Sequence, residues 1–204
     1  KIAKHNAGCS LMREPEHAAS VIGAMAKAVK IPVTVKMRAG WNDTNRNAPT
    51  LAKMVEDAGA AAVAVHGRTA EQSYSGFADW RIVAEIAERL TIPVFGSGDC
   101  VEPEQIIDRI RAGVDGVLVG RGVLRNPWIL AHAQDLAAGT TPPAVTLQDR
   151  GRFLLAYIEL LMNERVRDGL PHDRWVINKV RALGSYYTKG LENGSHLRTA
   201  INTA

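Results

Sequence analysis

The sequence predicts an α/β fold: a parallel sheet with helical crossovers, followed by a separate helical region. Three observations predict it. Four short apolar runs each break off into a polar or glycine-rich cluster, namely VTVKMRAGW (33–41), AAVAVHGRT (61–69), IPVFGSGD (92–99) and GVLVGRG (116–122). A helix-like stretch separates each run from the next, and alternating β and α of this kind forms parallel sheets. Beyond Pro127 the strand signal stops, and apolar residues recur at helical spacing. Ligands of parallel α/β sheets bind at the carboxyl ends of the strands, where these polar clusters fall.

The opening residues KIAKHNAGCS start no obvious element. The first helix is expected over Glu14 to Lys30: Pro15 suits the first turn, and Lys27 and Lys30 favour the negative end of the helix dipole. Strand 33–38 follows Pro32, and the polar loop 41–47 leads to a helix over about 49–58 that Gly59 ends. Strand 61–66 runs into a long loop, GRTAEQSYSGFA, after which Asp79 is placed to cap a helix over 80–90 with Arg89 in its last turn. Strand 92–96, a helix over 103–111 closed by Gly113, and strand 116–119 complete the pattern. Residues 128–138 read as a helix that Pro142 and Pro143 keep from continuing. Phe153, Leu154, Tyr157, Leu160 and Leu161 mark a helix over 147–168, with two more expected over 173–188 and 196–202. The expected organisation is therefore a β/α region over 1–138, a Pro-rich linker over 139–146 and a helical domain over 147–204.

At 46% hydrophobic and 23% charged over 204 residues, the chain has the make-up of an ordinary globular protein. No run approaches the ~18 apolar residues of a membrane span, and the opening residues do not resemble a signal peptide. A cytoplasmic location with no membrane partner is expected. Cys9 and Cys100 are too few for a disulfide framework and lack metal-ligand spacing, and the histidines are scattered, so no metal site is expected. Residues 148–204 hold 9 of the 25 Lys and Arg against 6 of the 21 Asp and Glu, which permits a polyanionic partner there.

Four β/α units are half of an eight-stranded barrel, and no GxGxxG turn marks a dinucleotide-binding open sheet. The strand ends favour half of a larger barrel. GSGD (96–99) and GRG (120–122) follow successive strands; glycines there let backbone N–H groups approach an anion, and Arg121 adds charge-assisted contacts. Barrels bind phosphate after their last two strands. Lys36 is the one charge between the apolar residues of its strand, a place for either a snorkelling rim lysine or a ligand contact. His66 ends its strand and is followed by Arg68, Gln72 and Tyr74 on the long loop. These groups include no nucleophile–base pair, so an enzyme built from them needs an organic cofactor.

The succession PVTVKMRAGW, AVHGRTAEQSYSGFADW, IPVFGSGD, GVDGVLVGRGVLRNPW closely resembles the tRNA-dihydrouridine synthases of the bacterial B type, over about 1–138 and more weakly beyond. The resemblance implies an FMN-binding TIM (β/α)8 barrel, of which the four strands here are strands five to eight, followed by a small helical domain. It places Lys36 and His66 on the flavin ring system, and Ser97, Gly98, Asp99, Gly120 and Arg121 around its phosphate. The family usually has Asn where this chain has Ser97. Arg68, Gln72 and Tyr74 fall on the substrate-side loop. Arg181-Ala182-Leu183 stands where relatives carry Arg-Lys-His, making Arg181 a substrate-binding candidate.

The family's activity is the reduction of uridine to 5,6-dihydrouridine in tRNA, with NADPH as reductant of the FMN. Its signature implies a proton-donor Cys upstream of Lys1, with Cys9 on the signature's small-residue position. No catalytic residue is therefore expected within the chain. A uridine in folded tRNA must be extruded to reach a flavin. Arg174, Lys179, Arg181, Lys189 and Arg198, interleaved with Tyr186 and Tyr187, suit either tRNA phosphates or a solvated basic face. No protein partner is implied. Two alternatives stand beside this reading: a non-catalytic half that binds tRNA or phosphate, and another FMN-dependent barrel oxidoreductase acting on a small metabolite.

Overall fold

The structure, a computed structural model, describes residues 7–164 and 172–203. After a 3-10 helix over Gly8–Arg13, the first 120 residues alternate as α1 (Pro15–Ala28), β1 (Thr34–Arg38), α2 (Ala48–Asp57), β2 (Ala62–His66), α3 (Trp80–Arg89), β3 (Val94–Ser97), α4 (Pro103–Arg111) and β4 (Gly116–Leu118). The strands form one parallel sheet in the order β1-β2-β3-β4. The parallel α/β fold follows the expectation, and the element bounds differ from it by at most two residues.

Local chemistry sets the element starts. Pro15 opens α1, and the Asp79 carboxylate accepts the Arg81 N–H at 3.1 Å to cap α3. Before α4, Gln105 Oε1 accepts the N–H groups of Val101 (2.8 Å) and Glu102 (3.1 Å). Gly59 and Gly113 adopt positive φ of 102° just past α2 and α4, the left-handed backbone that ends helices.

Right-handed crossovers between strands in sequential order carry their helices to one face of the sheet. Alternation then divides each strand. Met37, Val63, Val65 and Val94 are buried, whereas Thr34, Lys36, Ala62, Ala64, His66 and Phe95 face the other way and stay at least half-buried or exposed. On that second face Thr34, Ala62, Ala64, Phe95 and Leu118 line a shallow depression of about 200 Å³. Among the described residues no helix is long and apolar enough to cross a membrane, and no cluster of His, Cys, Asp and Glu could hold a metal ion.

The chain divides into two compact units after Gly120. Residues 121–138, expected with the β/α region, group instead with the helical unit. This unit comprises α5 (Arg121–Arg125), α6 (Ile129–Ala137), α7 (Leu147–Asn163), α8 (His172–Tyr187) and α9 (Gly194–Thr203). The five-residue α5 was not expected; it is too short to show a helical period. The connector ends in a capping box: Thr146 Oγ1 accepts the Asp149 N–H (3.1 Å), and the Asp149 carboxylate accepts the Thr146 N–H (3.0 Å). The part of the expected 147–168 helix beyond Glu164 lies outside the described residues. Trp128, Phe153 and Tyr187 stack in sequence at centroid distances of 5.5 and 5.4 Å, so Tyr187 belongs to the core of this unit. Its hydroxyl donates to the Arg150 carbonyl at 2.9 Å.

Gly96 faces the helices, and a Cβ there would enter the Trp80 ring. That ring is held from both ends: its Nε1–H donates to the Gly98 carbonyl at 2.9 Å, and the Arg109 guanidinium lies 4.9 Å from its centroid. Gly96→Ala is therefore expected to destabilise the first unit by about 1–3 kcal/mol through overpacking. The readout is a lower denaturant midpoint at unchanged m-value.

Candidate functional site

Parallel register brings the functional side chains to one line across the sheet. Arg38 pairs with His66 and His66 with Ser97, at the carboxyl ends of β1, β2 and β3. Lys36, two residues before Arg38, shares their face. The sequence reading singled out Lys36, His66 and Ser97 but missed Arg38; the alternation that places Lys36 on this face would have identified it too.

His66 Nδ1 and Ser97 Oγ are 3.1 Å apart, and His66 Nε2 is buried with no hydrogen-bond partner among the described residues. Burial, and then the cations of Arg38, Lys36 and Arg68, pull the imidazole pKa down to about 4. His66 is thus neutral at physiological pH. Lys36 is also held below the usual lysine range, first by desolvation and then by Arg38. Gly98 has φ of 120°, and a Cβ on it would lie 2.6 Å from Ala78 Cβ and 3.5 Å from His66 Nε2, so only glycine keeps this turn against the histidine.

The long loop after β2 is tied down from below. Arg68, only 2% exposed, donates to the carbonyls of Ser75 (3.1 Å) and Gly76 (2.7 Å) and to both Asp99 carboxylate oxygens (2.7 and 2.9 Å). Asp99 Oδ2 also accepts the Ala78 N–H at 2.7 Å. The two residues expected on the substrate and on the cofactor phosphate are therefore bonded to each other, with the Arg68 guanidinium under the loop. Gln72 and Thr69 form a reciprocal pair, Thr69 N–H to Gln72 Oε1 (2.8 Å) and Gln72 N–H to Thr69 Oγ1 (3.2 Å). Arg38 donates to the carbonyls of Thr69 (3.1 Å) and Ser73 (2.9 Å) and stands 6.0 Å from the ring of Tyr74, which is 62% exposed at the loop surface.

Gly120 ends the first unit, and Arg121 begins α5 in the second. Arg181 donates to the carbonyls of Ile201 (3.3 Å) and Asn202 (3.1 Å) near the end of α9, so its guanidinium is engaged within the helical unit. Arg198 likewise donates to Thr188 Oγ1 at 2.9 Å. Arg174, Lys179 and Lys189 are exposed, the lysines lying 5.5 and 5.4 Å from the rings of Trp175 and Tyr186. Cys100 is buried, and burial pushes its thiol up to about 11, far from a reactive thiolate. Cys9 is half-buried in the 3-10 helix.

All 204 residues match the family model described as dihydrouridine synthase (Dus). The chain belongs to the dihydrouridine synthase family. It is 37% identical over 205 residues to a protein of Rickettsia bellii described as "Probable tRNA-dihydrouridine synthase", covering 99% of this chain and 61% of that one. It is 40% identical over 206 residues to the "tRNA-dihydrouridine synthase B" of Xanthomonas campestris, covering 100% of this chain and 60% of that one. The chain thus spans about three-fifths of the length of these curated relatives.

Two tests follow from this geometry. Arg68→Ala takes a charged donor from the Asp99 carboxylate and a donor from each of two loop carbonyls, and is expected to destabilise the first unit by about 3–5 kcal/mol, measured by denaturant unfolding. Arg68→Lys, a point charge without the planar fork, is not expected to restore it. The second concerns pH. The folded pKa of His66 of about 4 lies below the unfolded value of 6.5, so between them the unfolded chain binds more protons. The stability owed to neutral His66 is complete above pH ~6.5 and declines as pH falls towards ~4. Glu56, held at about 2 by Lys53 and by the N–H groups of Thr91 and Ile92, acts in a lower window. His66→Gln should flatten the unfolding midpoint between pH 4 and 6.5; an unchanged slope there would contradict the assignment.

Proposed function

We propose that this chain supplies the cofactor side of a flavin-dependent enzyme that reduces uridine to 5,6-dihydrouridine in tRNA. In this reading the four strands are strands five to eight of a (β/α)8 barrel, and their uncovered face turns towards the barrel interior. The observation that supports it best is the row Lys36, His66 and Ser97 on that face, with a buried imidazole nitrogen that has no partner among the described residues. Such an atom costs stability unless a bound group completes it.

The residues fit FMN. When bound, and once reduced by NADPH, FMN supplies the hydride that adds to the pyrimidine. Lys36 presents a positive charge to an electron-rich ring system, and its lowered pKa marks a partly desolvated ammonium. His66 enters as a neutral hydrogen-bonding group. Gly98 with its neighbour Ser97, together with Gly120 and Arg121, is assigned to the phosphate. Asp99 acts at one remove, by holding Arg68 and the loop above the strand ends. Gln72 and Tyr74 stay on the substrate side of that loop, Tyr74 with an exposed ring on which an extruded base can stack. On the helical unit Arg174, Lys179 and Lys189 are assigned to tRNA phosphates in a cytoplasmic setting, and Arg181 braces α9. The proton donor is a Cys expected upstream of Lys1.

The test is made on the whole gene product in cells. Its deletion should remove dihydrouridine from at least one tRNA position. Re-expression with Lys36→Ala should restore it poorly, because loss of a charged contact of about 1.5–3 kcal/mol weakens FMN binding roughly 10- to 100-fold. Unchanged tRNA dihydrouridine on deletion, in a strain cleared of related synthases, would refute the activity.

A further inference from the structure

The hydroxyl of Ser97 meets His66 Nδ1 at 3.1 Å and has no other partner among the described residues. Ser97 is 6% exposed, so water does not readily satisfy its proton. A neutral imidazole carries one donor and one acceptor, and the bond to Ser97 decides which nitrogen is which. If Nδ1–H donated to Oγ, the hydroxyl proton would be left without an acceptor beside an equally unpaired Nε2 lone pair. If Oγ–H donates to Nδ1, the hydroxyl proton and the Nδ1 lone pair are both used, and only Nε2–H lacks a partner. Each unpaired buried group costs about 1–3 kcal/mol, so the second arrangement is preferred.

We infer that Ser97 is a positioning residue that fixes His66 as the Nε2–H tautomer, making it a neutral hydrogen-bond donor aimed at the Gly98 turn. Burial, and then the cations of Arg38 and Lys36 from β1 and Arg68 from the loop, outweigh the opposing Asp99 and keep it neutral. Gly98 leaves the space beside Nε2 free of a side chain; a Cβ there would stand 3.5 Å from that nitrogen. The matching ligand group is an acceptor oxygen, phosphoryl or carbonyl, entering beside Gly98. That last step rests on the flavin reading, whereas the tautomer depends on the chain alone.

The experiment is a two-bond 1H–15N correlation of the histidine rings of the 204-residue chain at pH 7, with His66 assigned by the signals lost in His66→Gln. The expected spectrum shows a protonated Nε2 and a bare Nδ1. A protonated Nδ1 in the unmodified chain overturns the proposal without any variant at Ser97. In Ser97→Ala the ring should shift to a mixture of both tautomers, and Ser97→Thr, which keeps the hydroxyl, should return it to Nε2–H. A Ser97→Ala spectrum identical to the parent also overturns the positioning role. Adding FMN or inorganic phosphate separates the sources of the acceptor, each read as a downfield shift of the Nε2 proton. An Nε2–H tautomer that neither probe moves upholds the proposal and counts against the flavin reading.

Discussion

The candidate site depends on one buried ion pair. Arg68 lies under the loop after β2 with its guanidinium on both oxygens of Asp99, which belongs to the turn after β3. A guanidinium so deeply buried must be neutralised and bonded, or it costs several kcal/mol. Here Nε–H goes to the Ser75 carbonyl and Nη2–H also reaches that of Gly76, whereas Nη1 is buried with no partner among the described residues, and the second Asp99 oxygen takes the Ala78 N–H. One charge pair thus ties both ends of the loop to the neighbouring strand end. Asp99 holds this position at φ of 53°, a left-handed backbone that Asp tolerates better than most residues.

Around this tie the sheet divides the chemistry by alternation. Valines pack against the helices, while the opposite face carries small residues along β2 and then His66. Parallel sheets are ordinarily covered on both faces, and within the first unit the face opposite the buried valines carries a depression lined by Ala62, Ala64, Phe95 and Leu118. The small residues leave the backbone open to close approach, and the charged and polar residues lie at the carboxyl ends. The proposed flavin site uses both features.

Much of this was legible in the sequence. Strand and helix positions follow from hydrophobic period and from local punctuation such as Pro15, Asp79 and Gly113, whose effects act within a turn. The shared face of Lys36 and His66 follows from period two and parallel pairing. The Arg68–Asp99 pair and the partners of Arg181 were not legible, because 20 or more residues separate the two sides of each and only folding brings them together. The same distance hid the grouping of residues 121–138 with the helical unit, where Trp128 meets Phe153, and Phe153 meets Tyr187, through tertiary packing alone. Arg38 was missed for a different reason: an arginine at a strand end reads as rim solvation until its carbonyl partners, Thr69 and Ser73, are in view.

The dependence of the loop on the Arg68–Asp99 pair is most directly tested by amide hydrogen exchange on the chain and on Asp99→Asn, a nearly isosteric change that removes the charge. The Ala78 amide, bonded to Asp99, and the Asp79 amide, bonded to the Gly67 carbonyl, should exchange slowly in the parent chain. Both should accelerate together in the variant, while the amides of β2 keep their protection. Equal exchange of the loop amides in the two proteins would contradict the account.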